Sequence, residues 1–110
     1  MALTPGNNNG ALNGVTAVDI VAAPAASTQR VVRNVSFFNR DTAAVTITLR
    51  LDDGGTERFL DKQTVQPDEA WVYAVAQVLD TANKKLEAVM SGAPATTNPD
   101  FSATWADKTA

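Results

Sequence analysis

The chain has 110 residues, 45% of them hydrophobic, which is enough for one globular domain with one core. It contains no cysteine and no histidine, which excludes a disulfide framework, a thiolate metal site and the commonest general base. The net charge of −3 and the scatter of its nine basic residues disfavour nucleic-acid binding, which needs clustered Lys and Arg. No apolar run is long enough for a membrane span, and Met1–Gly6 lacks the pattern of a signal peptide, so we expect synthesis in a cytoplasm.

Residues 4–14 consist almost entirely of turn-forming residue types, and such a segment buries too little apolar surface to offset the entropy of ordering it. We therefore predict a flexible N-terminal arm over residues 1–14 and a folded domain over residues 15–110. The arm is either a mobile terminus or a segment that becomes ordered on a neighbouring subunit. In the second case Leu3 and Leu12, its large apolar residues besides Met1, are candidate interface residues.

The first half of the domain shows three strand patterns. A first strand is predicted from Val15 to Ala22, and a second from Arg30 to Asn39. Apolar alternation in the second slips between Val32 and Val35, which indicates a bulge or a strand buried on both faces. The third, Val45–Leu51, alternates apolar with Thr or Arg at every position and leads into Asp52-Asp53-Gly54-Gly55, a sequence typical of a tight hairpin turn.

Residues 56–60 return from that hairpin, a short extended piece follows at residues 64–65, and the aromatic and β-branched run 70–79 predicts a further strand. Residues 80–90 fit either a short helix capped by Asp80 or a turn and a strand, and the alternation of residues 85–90 favours the strand. The last strand, 100–107, places Phe101, Ala103 and Trp105 on one face. Seven or eight short strands predict an all-β fold, a single antiparallel β-sandwich of jelly-roll or Ig-like type. Its expected core includes Val35, Phe37, Val45, Ile47, Leu49, Leu51, Val72, Leu86 and Val89.

The candidates for chemistry are few. Acidic residues at positions 52, 53, 61, 68 and 69 lack the spacing of a calcium loop, and the hairpin turn accounts for the first two. We therefore predict no metal site, no cofactor and no catalytic residues. Trp71, Tyr73 and Trp105 form a sugar-binding platform or belong to the core, and the core is favoured. Trp105 lies near the end of the sequence, where a core is thin, and is the third candidate interface residue.

The order of these patterns resembles that of small virion structural proteins of tailed bacteriophages. The resemblance is carried by residues 30–39, 45–49, 52–55, 65–71, 78–80 and 86–89, and it extends over about residues 20–107. It implies a β-sandwich that acts by assembly, without a functional residue that transfers by position. We thus expect a non-enzymatic virion protein, of capsid decoration (cement) or head-associated type. A tail, baseplate or fibre protein is the first alternative, and a carbohydrate-binding or adhesin module is the second.

The expected partners are other virion proteins, either the major capsid protein or tail components, and further copies of the chain in a homo-oligomer. Neither nucleic acid nor a membrane is expected as a partner. The expected location is the virion.

Overall fold

A computed structural model describes residues 3–74, 76–80 and 84–109, and all regular secondary structure in these ranges is β-strand. The strands are β1 (Thr4–Ala11), β2 (Val18–Val21), β3 (Thr28–Phe38), β4 (Val45–Asp53), β5 (Thr56–Val65), β6 (Ala70–Tyr73), β7 (Gln77–Leu79), β8 (Lys84–Met90) and β9 (Asp100–Thr109).

The strands form two antiparallel sheets that pack face to face. Sheet 1 has the order β1-β9-β3-β6, with β7 also paired to β3, and sheet 2 has the order β2-β8-β4-β5. Because β6 and β7 pair with successive stretches of β3, they act as one interrupted strand, and each sheet has four strand positions. This order is that of a jelly roll. The predicted antiparallel sandwich is confirmed, with nine strands rather than seven or eight.

The hairpin between β4 and β5 forms where the sequence predicted it. Asp53 pairs with Thr56, and Gly54 and Gly55 between them have φ values of 63° and 98°, the positive values that a two-residue type I′ turn requires. The Asp52 side chain accepts a hydrogen bond from the Gly55 amide at 2.8 Å. The return strand is longer than predicted, because β5 continues without interruption to Val65.

The irregularity in the second predicted strand is a bulge in β3. The pairing of β3 with β9 shifts register between Val32 and Asn34, so that Arg33 is the extra residue. The bulge allows both Val32 and Val35 to face the core, where each is 1% exposed.

The core lies between the inner faces of the two sheets and contains most of the predicted residues. Six of them are buried: Val35, Phe37, Val45, Ile47, Leu49 and Leu86. Leu51 is half-buried against this core, and Val89 is also half-buried. The assignment of Val72 to the core is wrong, since its side chain is 56% exposed. In β6 it is Trp71 and Tyr73 that face the core, because they pair with the buried residues Phe37 and Val35 of β3.

The N-terminal segment differs from the expected flexible arm. Residues 4–11 form β1, an edge strand of sheet 1 that pairs with β9 from Thr4–Asp107 to Ala11–Asp100. Gly6 and Gly10 lie directly opposite Trp105 and Phe101, and the two aromatic rings cover the glycine positions. This cover supplies the apolar contact that β1 itself lacks. Whether β1 can leave the sheet stays a prediction.

The ambiguity at residues 80–90 is resolved for the described part. Lys84–Met90 form β8 between β2 and β4, so the strand prediction is confirmed there, while residues 81–83 lie outside the described residues. The first predicted strand is shorter than expected, spanning Val18–Val21, and the last extends two residues further, to Thr109.

Candidate interaction surface

The outer face of sheet 2 carries charges that pair with one another. Arg50 contacts Glu87 (Nε–Oε1, 2.6 Å) and Glu57 (a guanidinium nitrogen to Oε2, 3.0 Å). Lys85 Nζ lies 3.0 Å from Asp19 Oδ1, and this hydrogen bond raises the pKa of Lys85. Asp19 and Glu57 are 52% and 44% exposed, as expected of ion pairs on a strand face in contact with water, whereas Arg50 and Glu87 are largely buried, at 15% and 6%.

The outer face of sheet 1 is different in composition. Its central positions, which alternate with the buried residues of β3 and β9, are Asn34, Ser36, Ser102 and Thr104. Apolar side chains flank them, and three are well exposed: Phe38 (42%), Val72 (56%) and Val78 (50%).

Charged residues lie at the margins of this same face. Asp100 and Lys108 are near the ends of β9, and Arg33 is the extra residue of the bulge. Arg40 pairs with Asp100 at 3.3 Å. The lack of charge at the centre and the exposed apolar groups beside it are two features of protein–protein contact surfaces, although such surfaces usually have a more apolar centre than these Asn, Ser and Thr side chains provide. We call this surface, centred on Asn34, Ser36, Ser102 and Thr104, the uncharged face.

The three predicted interface residues have different environments. Leu3 is 52% exposed, whereas Leu12 is 2% exposed and belongs to the core. Leu3 and Trp105 line the same shallow depression of about 500 Å³, together with Pro5, Arg33 and Ala106. The structure thus brings two of the three residues together and places Leu12 in the interior.

Trp105 is held by contacts within the chain. Its ring covers Gly6, and the guanidinium carbon of Arg30 lies 4.7 Å from the ring centroid. Arg30 also makes a two-pronged contact with Asp107, at 2.8 and 3.1 Å, and donates to the carbonyl oxygen of Ala22 at 2.8 Å. These contacts close one end of the sandwich.

The aromatic residues do not form a common platform. Trp71 stacks on the buried ring of Phe37, with centroids 5.0 Å apart, and Tyr73 contacts Trp71 edge-on at 6.5 Å. Both residues pack against the core from β6, whereas Trp105 lies on β9, with β3 between the two strands. A sugar-binding platform needs exposed rings on one surface, so this geometry does not favour the carbohydrate-binding alternative.

The opposite end of the sandwich is closed by two buried polar residues, Asn39 and Asp41. The Asn39 amide donates to the carbonyl oxygens of Ala43 (3.0 Å) and Val65 (2.9 Å), and its oxygen accepts from the Asp41 amide (2.8 Å). Asn and Asp are ordinary turn residues, so no local signal could have identified their burial.

The Asp41 carboxylate binds a loop that is distant in sequence. It accepts hydrogen bonds from the amides of Ala95, Thr96 and Thr97 at 2.7, 2.8 and 3.3 Å, and from the hydroxyl of Thr96 at 3.0 Å. Burial acts to raise the pKa of Asp41, but the hydrogen bonds hold it well below its usual range. The residue serves to fasten loops together.

Within the ranges that the structure describes, no group of three or more acidic side chains is placed to hold a metal ion. The described residues also include no helix that is long and apolar enough to cross a bilayer.

Comparisons with known proteins show similarity of fold. No family model and no curated protein matches this sequence. Among solved structures, a chain of the disulfide-linked pili of Bacillus endospore appendages matches with a TM-score of 0.56 and 15% identity, over 98% of this chain and 87% of that one. PirA matches with a TM-score of 0.54 and 13% identity, over 91% of this chain and 92% of that one.

A chain of the infectious bursal disease virus Gx strain matches with a TM-score of 0.50 and 14% identity, over 96% of this chain but 31% of that one. At these identities the similarity extends to the fold alone. The comparisons therefore support the jelly-roll fold of this chain.

Proposed function

We propose that this protein is a non-enzymatic structural subunit of a virus particle, namely a bacteriophage capsid decoration or head-associated protein. The observation that carries the proposal is the contrast between the two outer faces. The outer face of sheet 2 carries the ion pairs Lys85–Asp19 and Arg50–Glu57, whose acidic partners are open to water, together with one exposed apolar side chain, Phe59. The centre of the outer face of sheet 1 carries no charge, and Val72 and Val78 beside it are 56% and 50% exposed. A subunit that attaches through one face and exposes the other has this distribution.

The fold supports a role in assembly. Jelly rolls serve as viral capsid domains and as lectin domains. The aromatic rings at positions 71, 73 and 105 pack within the chain, which disfavours a lectin role built on these three rings. The match to a viral chain supports the capsid role at the level of fold.

The match to pilus subunits favours assembly as well, but by another chemistry. Those pili are disulfide-linked, whereas this sequence contains no cysteine. Copies of this chain would have to associate through non-covalent contacts, as the subunits and decoration proteins of a viral shell do.

In the proposed arrangement the uncharged face packs against a major capsid protein, and the charged face of sheet 2 points to solvent. Decoration stabilises a shell by adding buried area at subunit junctions, and large obligate interfaces run to about 2,000 Å² or more. The protein would be made in the host cytoplasm and would be found in the virion, as a homo-oligomer. A tail, baseplate or fibre subunit would use the same face on a different partner.

The test is to purify particles from a culture that carries the gene and to look for the protein by mass spectrometry. Particles lacking the protein are then mixed with the wild type, with Val72→Asp or with Phe59→Asp. Both substitutions replace an exposed apolar side chain (56% and 73% exposed) by the same charge, on sheet 1 and on sheet 2 respectively.

We expect V72D to lower occupancy at least about tenfold, because a desolvated carboxylate without a partner costs several kcal/mol. F59D should bind like the wild type. Absence of the protein from purified particles would overturn the proposed function. If F59D lost binding and V72D kept it, the choice of face would be overturned.

A further inference from the structure

β1 is an edge strand whose second side has no strand partner among the described residues, since it pairs with β9 alone. Its sequence, Thr-Pro-Gly-Asn-Asn-Asn-Gly-Ala, contains no charged residue over its eight positions. An uncharged edge of this length is a template for pairing with another strand, which soluble proteins ordinarily block with charges, proline, bulges or brevity. β1 has one of these devices, Pro5, near its start, and its central residues 6–10 have none.

The other edges of the two sheets carry these blocks. β5 has Glu57, Arg58, Asp61 and Lys62 along its length, and Leu60 forms a bulge where its register with β4 shifts. β2 has four residues and a register shift, and the edge opposite β1 in sheet 1 is divided between the short strands β6 and β7. Among the described edges, β1 alone is long, regular and uncharged.

The backbone phase of β1 is fixed by its neighbour. The Leu12 amide donates to the Pro99 carbonyl at 2.9 Å, in the same register as the β1–β9 pairs. In an antiparallel ladder every second residue bonds to the same neighbour, so the even-numbered residues of β1 face β9. The N–H and C=O groups of Asn7, Asn9 and Ala11, and the C=O of Pro5, therefore point to the open edge. Pro5 fits this phase, because a proline has no N–H to donate to β9.

The centre of β1 reads the same in both directions. Gly6-Asn7-Asn8-Asn9-Gly10 is a palindrome around Asn8. When two copies pair antiparallel about a two-fold axis at Asn8, Asn7 lies opposite Asn9 of the other copy and Gly6 lies opposite Gly10. Every pair in the central five residues then has identical partners, and the outward groups form about six backbone hydrogen bonds.

We infer that the protein forms a two-fold symmetric dimer through β1, in which the sheets 1 of two copies join into one continuous sheet. A second copy is the occupant that this edge selects, because the palindrome makes the edge its own complement and no like charges meet across it. The Asn8 side chain takes no part in the pairing, since it donates to the Ile20 carbonyl within its own chain at 3.1 Å. The dimer deepens the proposed structural role but does not depend on the virion assignment.

The register of the proposed dimer can be tested by disulfide cross-linking, because the chain has no cysteine of its own. In Asn8→Cys the two new cysteines lie opposite one another with Cα atoms about 4.5 Å apart, within the range of a disulfide. In the control Asn7→Cys each cysteine lies opposite residue 9 of the other copy. The two cysteines are then offset by two residues, about 6.8 Å along the strand, and are too far apart to bond. We expect mild oxidation to give a covalent dimer for N8C, seen on a non-reducing gel and by intact mass, and a monomer for N7C.

Sedimentation velocity of the wild type supplies a second measurement that needs no substitution at Asn8. We expect a reversible dimer whose dissociation constant rises at least about tenfold in Asn9→Pro, which removes an outward N–H from each copy and spares the bonds to β9. Circular dichroism checks that each variant is folded. A wild type that remains monomeric up to about 1 mM, or equal cross-linking of N7C and N8C, would overturn the inference. A monomeric protein could still bind particles, so this failure differs from a failure of the proposed function.

Discussion

Asp41 shows how one side chain can join loops that lie far apart in the chain. Its carboxylate is 3% exposed and accepts hydrogen bonds from residues 95–97, more than fifty positions away. Because these bonds hold the pKa of Asp41 well below its unfolded value of about 3.9, the ionised form stabilises the fold. That contribution is complete above the unfolded pKa and is lost as the pH falls toward the folded pKa.

We expect Asp41→Asn to lower the melting temperature by several degrees at pH 7, because an amide nitrogen cannot accept the bonds that the carboxylate accepts. The difference in melting temperature between the wild type and D41N should become smaller between about pH 5 and pH 2, because the wild type loses the stabilisation from its ionised carboxylate there. Asp68→Asn is the matched control, since Asp68 is exposed and its φ of 61° suits Asn. A gap that does not change with pH would show that Asp41 acts without its charge.

At the scale of the element, the two leucines that flank β1 have different environments, although the sequence predicted both as interface residues. Leu12 is 2% exposed in the core and Leu3 is 52% exposed beside Pro5. We expect Leu12→Ala to lower the free energy of unfolding by about 2–5 kcal/mol, because it leaves a cavity. Leu3→Ala should change it by less than about 0.5 kcal/mol. Urea denaturation of both variants tests this, and an equally small effect of both would mean that the β1 segment is not packed onto the sandwich.

The same element marks the limit of prediction from sequence. The hairpin of β4 and β5 was predictable, because its alternation and its glycine turn are local features. β1 was not, because its order depends on Trp105 and Phe101, which lie more than ninety positions away and cover Gly6 and Gly10. The prediction that Val72 of β6 faces the core was also wrong. Val72 and its neighbours Trp71 and Tyr73 are all apolar, and only the pairing with β3 decides which of them face the core.

The candidate surface was predictable only in part. Trp105 and Leu3 were predicted as interface residues and line one depression, and their role in an interface stays a prediction. The uncharged face could not be read from the sequence, because its central residues come from β3 and β9, which are adjacent only in the folded sheet.

At the scale of the whole molecule, the topology makes folding a long-range process. In the described part of the chain, β4 and β5 are the only consecutive strands that pair with each other. Sheet 1 forms only when the first strand meets the last, as in the pair Thr4–Asp107. Loop closure must then precede most of the stabilising contacts, which slows folding.

We therefore expect refolding on the millisecond-to-second timescale that is typical of all-β domains, and a single cooperative unfolding transition. Trp71 and Trp105 lie on different strands of sheet 1, so tryptophan fluorescence follows that sheet, while far-UV circular dichroism follows both sheets. The two transitions should coincide in urea. Because sheet 2 contains the local β4–β5 hairpin, it is the part that could persist alone, and loss of fluorescence at lower urea than the circular dichroism signal would show that the sheets unfold separately. Coincident curves in the wild type, with both midpoints displaced together in Leu12→Ala, would establish that β1 belongs to the cooperative unit.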